Sequence, residues 1–349
     1  MRHYIGLDAH SATCTLVVLT ESGQLTQRAV VKTSEGNLLK FLSSLPPGEK
    51  ILAVEESHVS QWVYVLLHEK VDKLIVCNPC RLTKHQGPKT DYRDALRIAN
   101  ELRGNFLHPV YHDESHWIQL RVLVSGYLDL VSEIIRTKNR LKAVFRSEIL
   151  DTKAADFYTS KERAKELSHE HGRFVADSLF RQVESLEERK LEFRAVFTKN
   201  MKIYRQLRNL ATIPGIDVVR ANIIMAIVCM PNRFESKYKF WAYCMLVRYL
   251  QISDGKVYGS QKIRARFELK SLFMGAAENA IQGETCLRNL YDRKRASGVD
   301  HRGAKIAVAR VIAAAALSIL KNNGKFDENY FQAHTERTQL RKTLNEARV

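Results

Sequence analysis

The sequence predicts an α/β domain on a mixed sheet, then a helical coiled-coil arm and a mostly helical C-terminal domain. Two patterns carry this. Up to Leu102, short apolar runs and helical segments follow in the order three strands, helix, strand, helix, strand, helix. From His116 onward the apolar residues recur at spacings of three and four, the helical period. The expected division is residues 1–110, 111–209 and 210–330, with a charged, frayed tail over 331–349.

Tyr4-Ile5-Gly6-Leu7-Asp8 reads as a short buried strand ending on an acid. Thr13–Thr20 is a second strand, Glu21-Ser22-Gly23-Gln24 a turn, and Leu25–Lys32 a third strand completing a meander. Ser34 is placed to cap a helix through Leu42, which Pro46-Pro47-Gly48 breaks. Ile51-Leu52-Ala53-Val54 is continuously apolar, as suits a central parallel strand covered on both faces, and runs into Glu55-Glu56. Val59–Leu67 reads as a helix, Lys73–Cys77 as the next strand, and Asp91–Leu102 as the helix after it. This order is the ribonuclease-H-like arrangement, with helices on both faces of the sheet.

Lys89-Thr90-Asp91-Tyr92-Arg93-Asp94-Ala95 puts two carboxylates three residues apart at a helix start, where they share a face. Taken alone, acids there are also favoured simply by the helix dipole. Asp8 and Glu55 or Glu56 stand at strand ends, where an open α/β sheet places its crevice. Neighbours on a strand face opposite sides, so only one of the two glutamates can turn inward; Glu55, directly after the apolar run, is preferred. Four converging acids would repel unless cations neutralise them. Two Mg²⁺ ions about 3.5–4 Å apart, as in phosphodiester transfer, would do so.

The chain carries a formal charge of +17, unevenly spread. The first hundred residues hold 12 basic and 10 acidic side chains, and the remaining 249 hold 43 and 28. A near-neutral, acid-bearing front and a basic back suit a catalytic head and a body that holds a polyanion, nucleic acid foremost. A membrane surface is disfavoured because no Lys/Arg cluster flanks an amphipathic helix near a terminus, and a span because Ile306–Leu320 is interrupted by Arg310 and no run reaches the ~18 apolar residues it needs. Met1-Arg2-His3-Tyr4 leads into a strand rather than a signal sequence, so a cytoplasmic, nucleoid-associated protein with reduced cysteines is expected. Cys77-Asn78-Pro79-Cys80 is a CxxC without a second half, which disfavours zinc.

In the arm, Leu120, Leu123, Tyr127, Leu130, Ile134, Thr137, Leu141 and Val144 line one helix and Leu179, Val183, Leu186, Phe193, Phe197, Tyr204 and Leu207 a second, over about 174–210. Residues 147–172 read as a polar turn region. A packing or dimerisation arm is preferred over direct groove reading. Ile213-Pro214-Gly215-Ile216 then breaks the helix, as in a helix-hairpin-helix or a plain helical corner. Phe240–Leu250 is aromatic and reads as helix, followed by Ser253-Asp254-Gly255 in a glycine-containing loop with Lys256, Lys262, Arg264 and Arg266 behind it. Locally, Ser-Asp-Gly is first of all a turn.

The ordered set Tyr-Ile-Gly-Leu-Asp, a strand-end Glu, Asn-Pro, Lys-Thr-Asp-x-x-Asp-Ala, Leu-x-x-Ile-Pro-Gly-Ile and Arg-Phe-x-Ser spans nearly the whole chain. It resembles the DEDD-type insertion-sequence transposases, the group that includes Piv-like invertases and bridge-RNA-guided recombinases. The resemblance implies a RuvC-like nuclease domain and a C-terminal domain bearing a catalytic serine. The tetrad then falls on Asp8, Glu55 (or Glu56), Asp91 and Asp94, with Mg²⁺ as cofactor. The nucleophile falls on Ser253, which would form a phosphoserine link to DNA. Lys89, Arg93, Lys256, Lys262, Arg264 and Arg266 are the candidate nucleic-acid contacts. The resemblance also implies a dimer or tetramer and a structured bridge RNA as partner. This chain departs from the family in having Ser57-His58 where glycine often follows the Glu, and Arg266-Phe267-Glu268 near the C-terminal site.

Two other functions fit the same residues. A structure-selective endonuclease would use the acids with water as nucleophile and leave Ser253 dispensable. A non-catalytic nucleic-acid-binding protein would lose no activity when an acid is replaced. A sugar-kinase-like variant of the fold is disfavoured, because Asp8-Ala9-His10-Ser11 lacks the glycines of a phosphate loop.

Overall fold

The computed structural model describes residues 1–82, 88, 90–113, 116–263 and 265–329. The expected tail, and with it Lys89 and Arg264, lies outside the described residues. The chain divides into two units, Met1–Ser115 and His116–Val349.

The first unit is built on β1 (Arg2–Ala9), β2 (Thr13–Leu19), β3 (Leu25–Lys32), β4 (Glu49–Glu55) and β5 (Lys73–Cys77). Their order across the sheet is β3-β2-β1-β4-β5. The meander β1-β2-β3 is antiparallel, whereas β4 runs parallel to β1 and β5 parallel to β4. The alternation along β1 assigns the two faces. Ile5, Leu7 and Ala9 join Leu52 and Val54 of β4 in a core covered by α1 (Glu35–Ser44) and α2 (Ser60–Leu67). Ala53 and Cys77, on the opposite face, pack against Ile98 and Leu102 of α3 (Asp91–Arg103). Burying one such aliphatic side chain is worth roughly 1.5–3 kcal/mol. Helices thus cover both faces of a mixed sheet, as the element order predicts. Ser34 caps α1, its hydroxyl accepting from the Asn37 N–H at 3.4 Å.

In the second unit, α4 (His116–Arg146) and α5 (Glu170–Ile203) lie along each other. Tyr127 meets Phe193 and Phe197, Leu130 and Ile134 meet Leu186, and Leu141 and Phe145 meet Ala176 and Phe180. Rising numbers on α4 match falling numbers on α5, so the pair is antiparallel. The connection is more ordered than a polar turn: Phe157 is fully buried with Phe145 and Phe180. The second arm helix ends at Ile203 rather than running to 210, because Tyr204 is extended and a short α6 (Arg205–Leu210) restarts after it.

Gly215 has φ 85°, and a Cβ there would meet the Ala276 carbonyl at 2.1 Å. The Pro-Gly turn is therefore a packed corner seated on α9 (Phe267–Ala280), leading into the buried α7 (Val218–Val228). After α8 (Lys237–Tyr243) come the hairpin strands β6 (Arg248–Ser253) and β7 (Lys256–Lys262), then α9, α10 (Cys286–Ala296) and α11 (His301–Asn322). By length and composition α11 could cross a membrane, which corrects the expectation that no segment qualifies. Strict run-counting misses it because Arg310 interrupts the run. Half of its most apolar stretch is buried inside the unit, and Arg310 donates from Nε to the Leu246 carbonyl at 2.8 Å. α11 packs against α9, whose Ala276, Ala277 and Ala280 are buried, and also against α6, α8 and α10.

Candidate active site

Gly6 is the residue on which the site is assembled. A Cβ there would stand 2.0 Å from the Ala95 carbonyl oxygen and 2.5 Å from the Ala99 nitrogen, so the backbone of α3 lies directly on β1. Asp8 follows two residues along the same strand face. The N-terminal turn of α3 is thereby delivered beside it. Thr90 fixes where that helix begins: its hydroxyl accepts from the Arg93 N–H at 3.3 Å. Asp91 becomes the first helical residue and Asp94 sits one turn on.

Asp8 and Asp94 are buried, while the Asp91 side chain is more than half exposed. Burial raises the pKa of the Asp8 carboxyl, His10 opposes that rise, and the charges of Asp91 and Asp94 add to it. His10 lies with Nε2 3.3 Å from Asp8 Oδ2 and 3.9 Å from Asp91 Oδ1. On the other side, an Arg97 Nη2 atom lies 3.0 Å from Asp94 Oδ1 and 3.5 Å from Glu55 Oε2. Burial, then the charges of Glu55 and Glu101, push the neighbouring Cys77 thiol up to about 12.

The two glutamates are separated by the strand alternation. Glu55 ends β4 on the face of Ala53, toward α3, and reaches Arg97. Glu56 is the next residue, beyond the strand end; its N–H donates to the Cys77 carbonyl at 2.9 Å. The fold sets Asp8 and Asp91 on either side of His10, and Asp94 and Glu55 on either side of Arg97, at the ends of β1 and β4 and the start of α3. One donor atom each of Asp8, His10 and Asp91 lie within 4.8 Å of one another. Such a set, with Asp8 already strained by neighbouring negative charge, fits a divalent cation.

His10 and Arg97 were not among the residues singled out from sequence. Both had a local signal. Asp8-Ala9-His10 at the end of a strand puts the imidazole on the face of the acid, and Arg97 stands three residues after Asp94 on the helix.

Ser253 belongs to the second unit, and its setting differs from expectation. The aromatic helix ends at Tyr243, and Arg248–Ser253 is a strand instead of the helix end and loop predicted for it. Asp254 and Gly255, at φ 49° and 69°, form the two-residue turn of a hairpin. Positive φ at both positions is the reason for Asp-Gly there. Ser253 is exposed and pairs in register with Lys256 across the turn. Both faces of the hairpin are open: Tyr249, Leu250, Ile252, Val257 and Tyr258 are all exposed. Of the other predicted contacts, Arg93 donates from Nη1 to the Pro88 carbonyl at 3.0 Å, and Arg266 stands just before α9, its backbone N–H donating to the Tyr243 carbonyl at 3.3 Å. Lys262 ends β7, and its side chain lies outside the described residues.

A mixed sheet of this order, with acids at two strand ends and on the helix docked over them, defines a ribonuclease-H-like domain of the DEDD type. Comparison with family models agrees. Residues 5–149 match the DEDD-type IS110 transposase model and residues 207–292 match the transposase IS116/IS110/IS902 family. The chain belongs to this IS110-type transposase family and is a DNA transposase or recombinase that acts on DNA and uses a divalent metal. Among curated proteins no match to the chain was found.

Proposed function

We propose that this transposase cuts and rejoins DNA with Mg²⁺ held by Asp8, Glu55, Asp91 and Asp94, and with Ser253 as the nucleophile. The observation that supports this most is the docking of α3 on Gly6, which sets Asp91 and Asp94 near Asp8, with Glu55 linked to Asp94 through Arg97. When bound, the cation neutralises the carboxylates and stabilises oxygens that develop charge during phosphoryl transfer. The Ser253 Oγ forms a bond to phosphorus as one phosphodiester P–O bond breaks. The hydroxyl proton is lost, and the released nucleoside oxygen takes one up. Attack by a free DNA hydroxyl on the phosphoserine reverses these changes, so strands rejoin without an external energy source.

The division of labour follows the sequence. Residues 1–110 carry the acids, 111–209 form the arm, and 210–330 carry the serine and much of the basic surface. In this reading Lys256, which pairs with Ser253 across the hairpin turn, holds DNA phosphates together with Lys89, Arg93, Lys262, Arg264 and Arg266. The family resemblance and the basic C-terminal chain support a structured bridge RNA, a homo-oligomer, and work at the nucleoid in the cytoplasm.

The test uses full-length protein, its co-purifying RNA, Mg²⁺ and labelled DNA from the ends of its own element, resolved on a denaturing gel. Protein-linked DNA is expected with wild type and neither with Ser253→Ala nor with Asp91→Ala. Cleaved ends without an adduct, unchanged by Ser253→Ala and abolished by Asp91→Ala, would replace the serine mechanism with a metal-dependent endonuclease using water.

A further inference from the structure

Resting on the assignment of Asp8 and Asp91 as metal-binding acids, we propose that His10 is a metal ligand. The cation beside Asp8 would then be held by one imidazole nitrogen together with carboxylate oxygens, not by carboxylates alone.

The placement of His10 is built into the turn between β1 and β2. Its N–H donates to the Thr13 carbonyl at 2.9 Å, and its carbonyl accepts from the Thr33 hydroxyl at 2.6 Å. Thr33 is itself held, its N–H donating to the Ala12 carbonyl at 3.0 Å. The residue is thus fixed at both backbone groups, by Thr13 at the start of β2 and by Thr33 just after β3. From that turn the ring lies on the side of Asp8, its Nε2 3.3 Å from Asp8 Oδ2.

Distances carry the assignment further. Donors that each lie about 2.0–2.2 Å from a common ion can be no more than about 4.4 Å apart. His10 Nε2 meets that limit toward both acids, at 3.3 Å from Asp8 Oδ2 and 3.9 Å from Asp91 Oδ1. The His10 side chain is 53% exposed, so an ion and its remaining waters can enter from solvent. The three residues come from the end of β1, the turn after it and the start of α3, which is a preorganised arrangement of donors.

The donor set has a chemical consequence. Imidazole nitrogen is a poor partner for Mg²⁺ and a good one for transition-metal dications. A site with one histidine should bind Mn²⁺ more tightly than Mg²⁺ by more than carboxylates alone would give. A histidine that served only as a protonated partner of the two acids would have the opposite effect, since it would compete with the cation.

The test is metal binding by the full-length, metal-stripped protein. Calorimetric titration with MnCl₂ and separately with MgCl₂ is combined with pulsed electron paramagnetic resonance of the Mn²⁺-loaded protein. Wild type is expected to show modulation from a directly coordinated nitrogen. His10→Ala should abolish that modulation and weaken Mn²⁺ binding at least as much as losing a supporting partner does, about 10–100-fold, with a smaller change for Mg²⁺. An Mn²⁺ spectrum without coordinated nitrogen in wild type overturns the assignment and needs no variant to fold. So does unchanged or tighter Mn²⁺ binding in His10→Ala while Asp91→Ala removes it, a result that leaves the acid site standing. Binding of both metals unaffected by Asp91→Ala would instead remove the acid site, and His10 ligation with it.

Discussion

Replacing Gly6 by alanine tests how the site is put together. The added Cβ would meet the Ala95 oxygen at 2.0 Å, the Ala99 nitrogen at 2.5 Å and the Ala99 Cβ at 3.0 Å. Ordinary contact begins at 3.4 Å, so α3 and β1 must separate by about 1.4 Å at this point. Two of the three opposing atoms are backbone and cannot rotate away. Overpacking of this kind costs about 1–3 kcal/mol, and the rigid neighbours place Gly6→Ala at the upper end, near 3 kcal/mol. The same displacement moves Asp91 and Asp94 away from Asp8. A misplacement of about 1 Å at a reacting centre can cost ~10²-fold in rate. The assay is urea unfolding of the metal-free protein, followed by calorimetric metal binding and strand cleavage by the folded fraction. Gly36→Ala is the control: it lies in the first turn of α1 with nothing within 4 Å, and should be neutral or stabilising by about 0.4–1 kcal/mol. If Gly6→Ala unfolded at the wild-type urea concentration and kept its Asp91-dependent metal binding, the close approach of α3 would not be what holds the acids together.

Two further perturbations probe the charges. Asp8 has its pKa raised by burial and then by Asp91 and Asp94, against the effect of His10, so the folded protein binds that proton more tightly than the unfolded chain. Metal-free protein should therefore lose stability as pH rises from the ordinary carboxylate range through the raised value. Asp8→Asn should remove that loss, being more stable than wild type at neutral pH without metal and less stable with it; identical pH profiles for the two proteins would contradict this. Arg97→Ala should destabilise the metal-free protein by about 1.5–3 kcal/mol, the range for hydrogen bonds to charged groups, because Arg97 bridges Asp94 and Glu55. Added Mn²⁺ should recover part of the loss, and recovery by an equal concentration of monovalent salt would show that simple screening is at work.

Much of the fold was written locally. Apolar periods marked the five strands and three helices of the first unit, and the acids stood out because carboxylates at strand ends and helix starts interrupt those periods. Ser34 marked its helix start through the hydroxyl that caps it, while the cap that Thr90 places on α3 emerged only with the structure. The hairpin carrying Ser253 was misread for a physical reason. Both of its faces are exposed, so no in-out alternation is imposed on Arg248–Ser253, and the aromatic run before it reads on as helix. Only Asp254-Gly255, a turn signal in any context, pointed to it. Phe157 was hidden likewise, one buried ring in a polar connection.

The sequence alone determined the order of the elements, the positions of the acids along them, and the family to which the chain belongs, because each depends on neighbours in the chain. Tertiary structure decided which of those acids meet. Gly6 lets α3 lie on β1, strand pairing turns Glu55 toward Arg97, and Thr33 holds His10 over Asp8. These contacts join residues far apart in sequence, and they depend on distances of a few ångströms set by packing.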